Sequence, residues 1–188
     1  MVDQPTQMPP PRRNHVGTGK AATSQAVKTA PRDRAPPRRN YAALDLGTNN
    51  CRLLIARPEG SRFTVVDAFS RIVRLGEGLA ANGAISQAAM DRALSALSVC
   101  ADKLVKRNVF MARSVATEAC RRATNGQTFV DRVYRETGIK LDIIAPQEEA
   151  RLAVLGCHIL LEDGEGAALI FDIGGGSTEL VLVDTSGP

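Results

Sequence analysis

The sequence predicts an α/β fold in which a mixed sheet, opened by an antiparallel meander, carries helices packed on it. Three observations point there. Short apolar runs bounded by Gly, Pro or Asn recur from Tyr41 onward, segments with apolar residues at helical spacing separate the later runs, and strands alternate with helices after an initial hairpin. That alternation implies a sheet covered by helices.

The elements follow in order. YAALDLG, CRLLIAR and RFTVVDAF running on to RIVRLGEGL read as strands of a meander. Ser86 can cap a helix whose apolar residues, Met90, Leu94, Leu97, Ala101 and Leu104, recur in steps of four and three and form one stripe toward the sheet. Val109 to Val115 reads as a strand, Thr117 to Ala123 as a short helix, and Gln127 to Thr137 as a helix capped by Asn125 and stopped by Gly138. Leu141 to Ala145 is a short strand. Pro146 suits the first position of a helix running to about Leu161, with Leu152, Leu155 and Ile159 facing inward. Ala167 to Phe171 and Leu180 to Val183 read as two buried strands joined by a Gly turn.

Residues 1–40 stand apart. They hold seven of the ten prolines, no aromatic residue, and two acids against eight Lys/Arg, so they are expected to be a disordered basic tail. The tail carries +6 and residues 41–188 carry −2, so the basic balance belongs to the tail, which offers a contact for polyanions or is simply a solvated leader. Gly17-Thr18-Gly19-Lys20 imitates the end of a phosphate-binding Walker loop but lacks the first glycine, the final hydroxyl residue and a preceding strand. The four cysteines form no Cys-x-x-Cys pair, and His15 and His158 have no partner at metal-ligand spacing, which argues against zinc and a disulfide framework. A reducing, cytoplasmic setting is the expectation. No apolar run approaches the roughly 18 residues of a membrane span.

One device occurs twice. Asp45-Leu46-Gly47-Thr48-Asn49-Asn50-Cys51-Arg52-Leu53-Leu54-Ile55 aligns without a gap on Asp172-Ile173-Gly174-Gly175-Gly176-Ser177-Thr178-Glu179-Leu180-Val181-Leu182. Each copy places a carboxylate at the end of a strand and follows it with a turn able to turn backbone N–H groups toward an anion. Two such turns facing one another would grip a phosphate chain, with Asp45 and Asp172 positioned to hold Mg²⁺.

These two segments resemble the phosphate loops of the actin-like ATPase superfamily, whose lobes have the ribonuclease H-like fold. Three further stretches, Val73-Arg74-Leu75-Gly76-Glu77-Gly78-Leu79, Ala116-Thr117-Glu118-Ala119-Cys120-Arg121-Arg122-Ala123-Thr124-Asn125 and Glu148-Glu149-Ala150-Arg151-Leu152, are together similar to the exopolyphosphatase and guanosine pentaphosphate phosphohydrolase family. The resemblance covers nearly all of residues 41–188. It implies that Glu149 activates the attacking water and that Arg121 contacts phosphate. It further implies that Gly47, Thr48, Asn49, Gly174, Gly175, Gly176 and Ser177 bind phosphate, and that Glu179 joins Asp45 and Asp172 near Mg²⁺ or another divalent cation. The first loop departs from the family at Thr48-Asn49-Asn50-Cys51, where Ser-Asn-Ser-Phe is usual, so an amide at Asn50 replaces a hydroxyl. Arg52 matches a common basic residue of the family or is a solvated strand charge.

The implied substrates are inorganic polyphosphate or guanosine pentaphosphate, with a second copy of the chain as a further partner and no membrane. Family members continue through a second lobe, so the expectation is a first lobe over residues 41–188 with the second lobe missing. Phosphohydrolysis, phosphotransfer and non-catalytic anion binding are the three activities this reading leaves open.

Overall fold

The computed structural model describes residues 38–60, 62–157, 160 and 166–184. Residues 1–37 of the expected tail, both histidines and Ile159 lie outside the described residues. The meander is formed by β1 (Asn40–Leu46), β2 (Asn50–Glu59) and β3 (Arg62–Ile72), joined antiparallel. β1 starts one residue inside the stretch expected to be tail, because the Asn40 amide donates to the Arg107 carbonyl at 2.6 Å and its oxygen accepts from Arg57 at 3.1 Å. β4 (Val109–Ala116) pairs parallel with β1, and β5 (Asp142–Ile143) parallel with β4, giving the mixed order β3-β2-β1-β4-β5. The mixed sheet with its opening meander is therefore present, as the ribonuclease H-like reading expected.

Alternation along the strands decides which face becomes core. Ala42, Leu44 and Leu46 of β1 and Cys51, Leu53 and Ile55 of β2 point to one face and are buried. Against them lies α2 (Gln87–Lys106), with Met90, Leu94 and Leu97 buried and Ala101 and Leu104 packed at the edge. Ser86 caps it, its Oγ accepting from the Ala89 N–H at 3.3 Å. α4 (Gly126–Thr137) adds Phe129, Val130 and Val133 to the same core. Asp45 and Arg52 consequently fall on the opposite face, clear of the hydrophobic layer. No described helix is long and apolar enough to cross a membrane.

Four expectations are corrected. The stretch after β3 leaves the sheet at Val73 and turns into a one-turn helix, α1 (Leu79–Asn82), instead of continuing as strand. Asn125 precedes α4 but makes no side-chain cap; its amide instead accepts from the Ile85 N–H and donates to the Ile85 carbonyl, both at 2.9 Å, pinning the loop before α2. α5 (Pro146–Cys157) buries no residue: Leu152 is half-buried and Leu155 is 51% exposed, because the helix lies on the open side of the sheet. The final pair, β6 (Ala167–Ile173) and β7 (Thr178–Asp184), forms a separate two-stranded sheet, with Phe171 64% and Leu182 73% exposed. An apolar run predicts burial only if another layer covers it, and although α5 approaches these strands, Leu169, Phe171, Ile173, Leu180 and Leu182 stay exposed.

Between β4 and α4 runs α3 (Glu118–Arg122), and the chain then doubles back so tightly that a Cβ on Gly126 would overlap the Cys120 carbonyl. Glycine is required there by space. Gly126→Ala is expected to destabilise the fold by about 1–3 kcal/mol, in the range of an overpacked core, read as a lowered thermal midpoint.

Candidate active site

Both acidic motifs fold into the same turn. In the first hairpin the Gly47 N–H donates to the Asn50 carbonyl at 2.9 Å, and in the second the Gly174 N–H donates to the Ser177 carbonyl at 2.9 Å. Gly47 and Gly174 are aligned positions, as are Asn50 and Ser177, so the repeat seen in the sequence is a repeat of geometry. The registers match too: Asp45 faces Arg52 across β1 and β2, and Asp172 faces Glu179 across β6 and β7. The equivalent position thus carries a cation in one copy and an acid in the other.

The first loop is braced from outside. Its Asn49 carbonyl accepts from the N–H groups of Val73 and Arg74 at 2.8 and 3.0 Å, and its Thr48 carbonyl from Gly76 at 3.0 Å. Arg92 of α2 holds the brace in turn, donating to the Val73 and Arg74 carbonyls at 3.0 and 3.1 Å and pairing with Glu77. Acceptors of the loop are thereby spent away from the second hairpin, which suits a turn that must offer donors to an anion. Opposite, Gly175 and Gly176 come so near that side chains there would overlap Asn49 and Thr48.

Between the loops lies a polar cavity of about 140 Å³ lined by Asp45, Arg52, Thr117, Glu149 and Asp172 together with Gly47, Thr48, Asn49, Gly174, Gly175 and Ser177. Its size suits a phosphoryl group better than a nucleoside. It opens on one side into a mainly apolar pocket of about 630 Å³ between the sheet's open face and α5, where Leu54, Phe69 and Leu152 contribute.

The electrostatics are those of crowded acids. Burial raises the Asp45 carboxyl above its usual range, Arg52 opposes this, and the charge of Asp172 adds to it. Burial likewise raises Glu149, the hydrogen bond from Arg121 opposes, and the charges of Glu179 and Asp45 add. Arg121 is a three-way tie: it donates to Glu118 at 2.6 Å, to the Ile144 carbonyl at 2.7 Å and to Glu149 at 3.1 Å. Burial works against its charge, yet the two carboxylates more than offset that and hold its pKa above the ordinary value.

Most of the residues singled out in the sequence meet at this cavity, but three, Arg121, Glu179 and Gly176, do not line it. Arg121 does not line it; its guanidinium is occupied in orienting Glu149. Glu179 does not line the cavity either, although it faces Asp172 across β6 and β7 and its charge, like that of Asp45, bears on Glu149. Among the described residues no group of three His, Cys, Asp or Glu side chains stands ready to hold a metal ion. The donor chemistry still fits Mg²⁺, which is commonly bound through one or two carboxylates with phosphate oxygens and water completing its shell, and the mutual repulsion of Asp45 and Asp172 marks a place short of positive charge. Gly176 abuts Thr48 and is not part of the lining. Sequence reasoning missed Thr117, buried where β4 ends, and Glu118; both stand in the Ala116–Asn125 motif, but nothing local distinguished them.

Comparison with known proteins gives consistent results. A family profile described as the Ppx/GppA phosphatase family matches residues 54–188. A Haemophilus influenzae relative is 33% identical over 151 residues, 80% of this chain and 46% of that protein. A guanosine-5'-triphosphate,3'-diphosphate pyrophosphatase of Aliivibrio fischeri is 36% identical over 76% of this chain and 28% of its own length. Among solved structures, an exopolyphosphatase from Cytophaga hutchinsonii superposes with a TM-score of 0.75 at 30% identity over 79% of this chain and 48% of its own. The Aquifex aeolicus Ppx/GppA family member gives a TM-score of 0.70 at 31% identity over 80% of this chain and 49% of its own. The chain spans about half or less of the length of the curated relatives it matches.

The raised carboxyl at Asp45 has a consequence for stability. Because the folded chain binds that proton more tightly than the unfolded chain, whose value is 3.8, wild-type stability falls as pH rises from there through the folded value. Asp45→Asn removes the penalty. The variant is expected to melt at a higher temperature than wild type at pH 7, with the difference vanishing below the unfolded value; a pH series of thermal midpoints checks both the sign and the window.

Proposed function

Since the chain belongs to the Ppx/GppA phosphatase family, we propose that it hydrolyses the terminal phosphoanhydride bond of inorganic polyphosphate at the cavity between its two acidic hairpins. The observation that carries this reading is the placement of Glu149, which lines the cavity while its carboxylate is held by Arg121 at 3.1 Å. Hydrolysis of an anhydride needs a placed base, donors for the equatorial oxygens and a counter-charge.

Glu149 is the base. Burial and neighbouring acids raise its proton affinity, which strengthens it as an acceptor, while the hydrogen bond from Arg121 opposes that rise. Water positioned by this carboxylate attacks the terminal phosphorus in line with the departing chain, giving up its proton to Glu149 as the anhydride bond breaks. With the Gly47 and Gly174 N–H groups closing the turns, the backbone at Thr48–Asn49 and Gly175–Ser177 offers donors to the oxygens of the transferred group, and Arg52 adds positive charge on one side. Asp45 and Asp172 are the residues that would hold Mg²⁺, which when bound offsets the charge of the phosphates. Arg121 serves as a positioning residue, held by Glu118.

A second substrate, guanosine pentaphosphate, is favoured by one feature: the apolar pocket with Phe69 and Leu54 opens directly from the cavity and could receive a base. Competition between the two substrates separates these readings. Glu149→Gln is expected to lower the orthophosphate release rate by roughly 10²–10⁴-fold, the usual contribution of a general base, while polyphosphate still binds. Undiminished release by that variant, measured on the full chain with Mg²⁺ supplied, would refute the assignment. Label from the terminal phosphate appearing on an organic acceptor would indicate a phosphotransferase, and tight binding without release an anion-binding module.

A further inference from the structure

On the side of the loops away from the apolar pocket lies another pocket, of about 510 Å³ and mixed polarity, lined by Thr48, Asn49, Asn50, Ile72, Arg74, Glu77 and Gly175 among others. Four of these residues, Thr48, Asn49, Asn50 and Gly175, also line the cavity at Glu149, so the two spaces share a wall. Resting on the hydrolytic reading above, we propose that this pocket is the subsite for the phosphates that follow the terminal one, with Arg74 as the residue that binds them.

The state of Arg74 supports the assignment. Its backbone is left-handed, at φ 47°, a conformation that a residue other than glycine adopts only under constraint. The constraint is on hand: its N–H donates to the Asn49 carbonyl at 3.0 Å, and its own carbonyl accepts from Glu77 at 3.2 Å and from Arg92 at 3.1 Å. The same bonds that set the phosphate loop therefore set the direction of Arg74. Its guanidinium has no hydrogen bond or ion pair among the described residues, and the neighbouring acid, Glu77, is paired with Arg92. A free guanidinium beside two side-chain amides and a hydroxyl is a set of groups suited to phosphate oxygens.

Charge decides the direction of the chain. Beyond Glu149 toward α5 the walls include Leu54, Phe69 and Leu152, and the three acids Asp45, Asp172 and Glu149 outnumber two arginines, Arg52, which faces Asp45, and Arg113, which is paired with Asp142. A linear polyanion entering that side would meet more acids than cations, both arginines already facing a carboxylate, and much hydrocarbon. On the Arg74 side it meets donors and a cation. The terminal phosphate then sits between the loops while the remainder passes Asn49 and Gly175, which gives Arg74 a role in recognising chain length and none in the chemistry itself.

The test compares wild type, Arg74→Asn and Arg74→Lys in the full chain. Asn tolerates the left-handed backbone, so the substitution removes charge without forcing the brace; equal thermal midpoints verify this. The KM of wild type is expected to fall as polyphosphate lengthens from the trimer, with Arg74→Asn losing most of that fall, on the order of ten-fold at long chain lengths, while kcat stays within about two-fold and Arg74→Lys recovers part of the loss. An unchanged dependence of KM on chain length in Arg74→Asn, or an equal loss at every length, overturns the subsite. Should wild type release no phosphate at all, the hydrolytic reading fails instead. Equilibrium binding of long-chain polyphosphate then decides on Arg74: weakened binding by Arg74→Asn upholds the subsite and unchanged binding removes it.

Discussion

Four carboxylates, those of Asp45, Glu149, Asp172 and Glu179, are brought within reach of one another's charge, and the surrounding structure is arranged to tolerate their repulsion. Part of the relief is local. Arg52 sits across the ladder from Asp45 and lowers the cost of its charge. The rest comes from a distance in sequence: Arg121, on a helix of five residues, reaches Glu149 on α5 and is itself kept in place by Glu118 and the Ile144 carbonyl. A salt-bridged arginine saturated by two acids and a carbonyl has little freedom to move, which makes it a good frame for the carboxylate it holds. Repulsion that remains is useful, because a site with surplus negative charge gains most from a bound cation.

The second requirement is a loop that offers donors. Peptide groups carry one donor and one acceptor each, and a turn cannot hide its carbonyls by itself. Here the hiding is done by the segment after β3, whose N–H groups take the Thr48 and Asn49 carbonyls, and by Arg92 behind it. The Val73–Leu79 stretch and the acidic turn are thus halves of one object. The helix that supplies Arg92 is also the main partner of the sheet in the core, so packing of Met90, Leu94 and Leu97 fixes the brace, and the brace fixes the loop.

Apolar surface marks where this packing stops. The second acidic hairpin shares its turn with the first, but its strands make a sheet of their own, and Leu169, Phe171, Leu180 and Leu182 are exposed beside an α5 that buries nothing. The first hairpin has α2 and α4 over its apolar face. Equal motifs therefore stand in unequal surroundings: one is anchored in a finished core, while the other meets α5 and the first loop with most of its large apolar side chains exposed.

The amino-acid sequence alone determined what depends on near neighbours. Period-two alternation placed Leu44 and Leu46 inward and Asp45 outward, the stripe of α2 and its Ser86 cap followed from spacing, and the doubled Asp-aliphatic-Gly text announced two like turns. Only tertiary structure decided what depends on segments meeting across the fold. It turned Asn125 from a cap into a clamp on Ile85, gave Arg121 to Glu149 and Glu118, set Thr117 at the cavity, left α5 and the last hairpin with their apolar side chains exposed, and kept Glu179 out of the cavity lining. The reason is physical: a pattern repeating every two to four residues records which side of an element is apolar, but the partner of a polar group 28 or 40 residues away is chosen by where the chain returns.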